Sequence, residues 1–160
     1  MRLQLSTLFL CSLLFFSTQT LFSYSQIQAI TGLSVKEFAI SSQTHKLVLG
    51  THTGEVYVYT QMSGLLTKKQ KLVEVSNEIV AIDITANGQW LMIVDAVNDA
   101  YIYKCIQKDE SFELYKKVEI DGVKGVASGA MCENHETIAV GGEDGKVVIL
   151  NFRKSLIEEK

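Results

Sequence analysis

The chain has little of what most function classes require. Its 160 residues include three cysteines, Cys11, Cys105 and Cys132, and only the last two lie in the body of the chain. That is too few for a disulfide framework, and no Cys-x-x-Cys pair occurs. The three histidines, His45, His52 and His135, are never spaced as a pair of zinc ligands, so they read as exposed turn residues. Basic runs end at two residues, Lys68-Lys69 and Lys116-Lys117, and the net charge is -3. A nucleic-acid binder would carry a basic footprint instead. No Asn-x-Ser/Thr glycosylation acceptor is present. Neither the absence of proline nor the 11 glycines decides an architecture.

Charge is also missing from the front of the chain, where no charged residue falls between Arg2 and Lys36. Inside that span, residues 8–16 form a dense apolar block, preceded by Met1-Arg2 and followed by a polar, small-residue stretch. Residues 1–26 therefore read as a secretory signal peptide with a cleavage-like site at Ser23-Tyr24-Ser25. A gene-model artefact, or strands of a preceding repeat, are the competing readings. The first reading places the protein in the secretory pathway and the others in the cytoplasm.

What the chain does have is a repeat. Residues 35–59, 79–103 and 126–150 superimpose without gaps, with starts 44 and 47 residues apart, a period typical of propeller or solenoid arrays. Each copy reads as three strands. A first apolar strand (35–40, 79–84, 126–131) leads through a polar turn into a continuous apolar run (46–50, 90–94, 137–141), the pattern of a strand covered on both faces. A hairpin follows, at His52-Thr53-Gly54 and Glu143-Asp144-Gly145, with Asn98 standing where the other copies have glycine. The third strands, 55–59, 99–103 and 146–150, carry bulky residues at both parities, which predicts packing on both faces. More polar segments, 66–73 and 112–120, alternate charge with apolar residues as outer edge strands do.

Four strands per repeat make the blade of a β-propeller. Ala86-Asn87-Gly88, Leu49-Gly50, the run Gly54 to Tyr59 and the run Val140 to Val147 resemble the WD-repeat β-propeller family over residues 35–152. The family's terminal Trp-Asp is replaced by Tyr59-Thr60, Tyr103-Lys104 and Leu150-Asn151, and its Gly-His pair is absent. The expected fold is all-β: residues 27–160 form a propeller segment of about three four-stranded antiparallel blades, incomplete as a closed ring.

The resemblance implies a non-catalytic scaffold for protein–protein interaction. If the blades are oriented as in the family, one rim carries Thr51, His52, Thr53, Ser76, Asn77, Asp95, Asp121, Lys124, Glu143 and Asp144. That set is more acidic than basic, which suits a basic or neutral partner surface. No small-molecule substrate, nucleic acid, metal or cofactor is implied. The rival is a secreted or lumenal propeller enzyme, quinoprotein-like or lactonase-like, with its site completed by further blades. No catalytic constellation supports it: Gly125 to Gly129 lacks the spacing of a nucleophile elbow, and Gly141 to Gly145 precedes a hairpin rather than a phosphate-cradling helix. Cys105 and Cys132 are expected as buried free thiols. Asp83, on an inner strand, is expected to accept a hydrogen bond from a loop amide.

Overall fold

A computed structural model describes residues 30–62, 65–72, 75, 77–132 and 136–152. Among them every regular element is a strand, and strand order follows chain order within each sheet. Blade 1 contains β1 (Val35–Ile40), β2 (Lys46–Thr51), β3 (Val56–Met62) and β4 (Leu65–Lys71). Blade 2 contains β5 (Ile79–Ile84), β6 (Trp90–Asp95), β7 (Asp99–Cys105) and β8 (Phe112–Glu119). Blade 3 contains β9 (Val126–Cys132), β10 (Thr137–Gly142) and β11 (Val147–Asn151). All pairings are antiparallel up-and-down neighbours, and the first strands of successive blades pack together, β1 on β5 and β5 on β9. The segment 1–26 lies outside the described residues, as does any fourth strand of blade 3 after Phe152.

Side-chain alternation sends each strand's residues to two different neighbours. Along β6, Leu91 and Ile93 join a core with Val48, Val56 and Val58 of blade 1, whereas Trp90, Met92 and Val94 join a core with Ile138 and Val140 of blade 3. Trp90 to Val94 of β6 are all buried, as the unbroken apolar run predicts, and Asp95 at the end of the strand is buried with them. Each such side chain contributes about 1.5–3 kcal/mol by leaving water.

The fit between blades is a matter of size. Gly50 in blade 1 faces Ile82 of blade 2; a Cβ there would come within 2.6 Å of the Ile82 Cδ1. At the next junction the sizes are reversed. Gly129, the repeat equivalent of Ile82, makes room for Met92, whose Cε would lie 2.8 Å from a Cβ. Polar bonds reinforce both junctions. Gln70 of β4 reaches across to Phe112 of β8, donating to its carbonyl at 2.8 Å and accepting from its N–H at 2.8 Å. Asp83 accepts from the Met131 N–H at 2.7 Å and from its neighbour Ile84 at 2.9 Å. The partner of Asp83 is thus a strand amide in the next blade, not the loop amide expected.

The outermost faces are bare. On blade 1, Phe38 and Ile40 are each 62 % exposed, and on blade 3, Val147 and Ile149 are 67 % and 71 % exposed. The third strand of the last repeat therefore departs from the expectation of packing on both faces, because no blade follows it among the described residues. Cys105 is half-buried and Cys132 exposed, which corrects the expected burial; both are free.

Candidate functional site

The β2–β3, β6–β7 and β10–β11 turns are held by the same backbone bond in every blade. His52 N–H donates to Ser34 O (3.3 Å), Ala96 to Glu78 O (2.9 Å) and Glu143 to Gly125 O (2.8 Å), each pair related by the repeat. Each bond ties a hairpin turn to the segment entering its own blade's first strand. The rim is therefore a row of three equivalent, braced turns, and the loops that join one blade to the next lie beside them.

Within this frame the rim residues take two roles. Asp95 is fully buried and accepts four hydrogen bonds: from Val97 N–H (3.1 Å), Asp99 N–H (2.9 Å), Asn77 Nδ2 (3.0 Å) and Tyr101 OH (3.4 Å). Thr51, also buried, uses its hydroxyl in place of that carboxylate, accepting from Glu55 N–H at 3.0 Å and meeting the Thr53 hydroxyl at 3.0 Å. Both residues close hairpins and present nothing to a partner, which corrects their place among the candidate contact residues. Sequence spacing put them in turns, but only hydrogen-bond geometry shows that their side chains point inward.

The exposed set is His52, Thr53, Asp121, Lys124, Glu143 and Asp144, with Asn77 half-buried and committed to Asp95; the Asp144 carboxylate itself is turned back on its hairpin and paired with Lys146 at 3.2 Å. Ser76 lies outside the described residues. His52 Nδ1 and Lys36 Nζ converge on Glu78 Oε1 at 3.1 and 3.0 Å. The hydrogen bond from Lys36 is the main reason the Glu78 carboxyl sits below its ordinary value of 4.5. Asn98, in the left-handed conformation expected of it (φ 67°), accepts from Val126 N–H and donates to Val123 O, so it docks the blade 2 hairpin onto the link to blade 3. Of the histidines, His45 and His52 are exposed as expected, and His135 falls outside the described residues.

The opposite ends of the same strands form a second feature that the sequence did not flag. A six-residue strand separates the two rims by about 17 Å. There a cleft of about 820 Å³ is lined by Lys46, the turn Asn87 to Trp90, the end of β7 at Lys104 and Cys105, and the following loop through Glu110. Lys46 is only 4 % exposed. Its ammonium lies 3.5 Å from the Cys105 Sγ and 5.7 Å from the centre of the Phe112 ring. The sequence concealed this because Lys46 merely opens an apolar run, and its neighbours come from the next blade. Among the described residues, no group of His, Cys, Asp and Glu is arranged to hold a metal ion, and no helix is long and apolar enough to cross a membrane.

No protein-family model matches the chain, and no curated protein does. Solved structures do. The β-propeller domain of Cps50 (Swd1) from Myceliophteria thermophila superimposes with a TM-score of 0.65 at 14% identity, covering 81% of this chain and 39% of that one. Sqt1 from Saccharomyces cerevisiae superimposes with a TM-score of 0.61 at 16% identity, covering 72% of this chain and 31% of that one. The chain has the WD-repeat β-propeller fold and spans under two-fifths of the length of these structures.

Proposed function

We propose that the chain is a non-catalytic interaction scaffold contributing three blades to a larger WD-repeat propeller. The observation that carries this reading is the braced rim, in which equivalent backbone bonds at His52, Ala96 and Glu143 hold three turns in place beside a set of exposed, mostly charged residues. A preordered backbone lowers the entropy lost when a partner docks. The exposed contact set is His52, Thr53, Asp121, Lys124, Glu143 and Asp144. Its three carboxylates against one lysine suit a partner with a basic surface. The WD-repeat propeller fold supports this reading.

The bare faces bearing Phe38, Ile40, Val147 and Ile149 support the larger ring. In such a ring, further blades cover those faces, as the middle blade is covered on both sides.

Quantitative affinity enrichment from the native host, comparing the wild type with the charge reversals D121K, E143K and D144K, tests the rim. Proteins lost in the reversals and retained by the wild type are the expected result. A partner set indifferent to all three changes would sink the rim as the contact surface.

A further inference from the structure

We propose that the cleft at the other end of blades 1 and 2 is a second docking site, which takes up an acidic segment of a protein partner with a carboxylate bound to Lys46. The proposal rests on the scaffold reading and extends it to a partner of the opposite charge.

Lys46 carries the inference. Taking an ammonium out of water is costly unless a counter-charge replaces its hydration. Yet this side chain, 4 % exposed, makes no ion pair among the described residues and has only a weak sulfur acceptor and an aromatic ring beside it. Across the β2–β3 ladder, Lys46 is paired directly with Thr60. The Thr60 hydroxyl is the one buried side-chain polar atom among the described residues that has no hydrogen-bond partner. Two adjacent polar groups on one face are therefore undersatisfied, where buried polar groups are ordinarily paired.

The rest of the cleft fits an anion. Lys104 and Lys108 stand at its mouth, both exposed, against the single carboxylate of Glu110. The Asn87, Gln89 and Gln107 side chains add neutral donors along the wall. An 820 Å³ opening exceeds what an inorganic ion needs and is the size of a few residues of peptide. Both blades that build it lie within the described residues, so the site does not depend on how the ring is completed.

The test uses a dye-labelled peptide of alternating glutamate and glycine, with its glutamine counterpart and inorganic phosphate as comparison probes. Binding is read by fluorescence anisotropy. A second readout is alkylation of Cys105, with exposed Cys132 as the internal control. The acidic peptide should bind saturably, slow the alkylation of Cys105 and leave that of Cys132 unchanged, whereas the glutamine peptide should do neither. K46Q should weaken binding about tenfold or more, the scale of a hydrogen bond to a charged group. K104Q and K108Q, both at exposed positions, should each weaken it about two- to fivefold, with a matching loss in high salt, K104Q also giving up the ammonium that lies 5.7 Å from the centre of the Trp90 ring. If K46Q fails to fold, the exposed pair decides. Absence of saturable binding, equal binding of the glutamine peptide, or wild-type affinity in the lysine variants would each overturn the proposal. Phosphate that protects Cys105 and displaces the peptide at low concentration would assign the cleft to phosphate instead. None of these results bears on D121K, E143K and D144K, so the cleft and the rim can fail separately.

Discussion

Replacing Asp95 with alanine should be among the most damaging single changes available to this chain. The carboxylate is fully buried and receives two backbone N–H groups of its own hairpin, the amide of Asn77 from the preceding link and the Tyr101 hydroxyl. Each donor left without an acceptor costs about 1–3 kcal/mol, less where water can reach it. Because the turn and Tyr101 are partly solvated, the sum falls short of four full penalties, and D95A should lose about 3–5 kcal/mol. That is a large part of the 5–15 kcal/mol typical of a domain. Urea unfolding followed through the emission of Trp90, the sole tryptophan and the first residue of the same strand, measures the loss directly. D95N is the sharper probe. Its carbonyl can still serve Val97 and Asp99, but its new NH₂ faces the NH₂ of Asn77, a donor against a donor. Combining D95N with N77D restores a donor–acceptor pair with the roles exchanged. The double variant should recover about 1–2 kcal/mol relative to the sum of the single changes. A D95A loss below about 1 kcal/mol, within the range of ordinary surface substitutions, would refute the assignment and return Asp95 to the contact surface.

Four further changes probe separate features. Gly54→Ala should destabilise by about 2 kcal/mol or more in the same urea assay, because φ is +81° and the added Cβ would run into the Val75 carbonyl oxygen. Q70A should cost about 1–3 kcal/mol and speed hydrogen exchange at the Phe112 amide, since both of its bonds across the blade junction disappear. The depressed Glu78 carboxyl stabilises the fold above its unfolded value, and that contribution is lost as pH falls through the lower folded value. E78Q should therefore be slightly weaker at neutral pH and lose less stability than the wild type on acidification below 4.5, read by thermal melts across pH. V147K with I149K should reduce self-association in sedimentation without lowering the melting temperature, because both side chains are exposed on a strand that is the edge of its sheet among the described residues.

The blades were legible because packing writes itself into apolar periodicity. The strands at 35–40 and 79–84 fall where the pattern puts them, and β6 is buried at every position of its apolar run. Asn98 could also be placed in the left-handed region, since its neighbours in register are glycines. What stayed hidden depends on direction and on a second blade. An aspartate in a loop or turn reads the same whether it is exposed, as Asp121 is, or buried in a nest of donors, as Asp95 is. Lys46 looks like any strand-initiating lysine until the β7–β8 segment of the neighbouring blade closes over it. Asp83 showed that it needed a partner but not which one, because Met131 lies 48 residues further along the chain.

The reversal of sizes at the two junctions has a consequence for assembly order. Gly50 admits Ile82, whereas Gly129 admits Met92, so each blade wall is cut for one particular neighbour. A blade inserted out of sequence would set glycine against glycine, leaving a void, or isoleucine against methionine, forcing a clash. The wall of blade 3 again offers a glycine, Gly141, at the position of Gly50, and the wall of blade 1 offers Phe38 at the position of Ile82. Side-chain volume alone thus tells the two described junctions apart and fixes the order of the three blades that meet there.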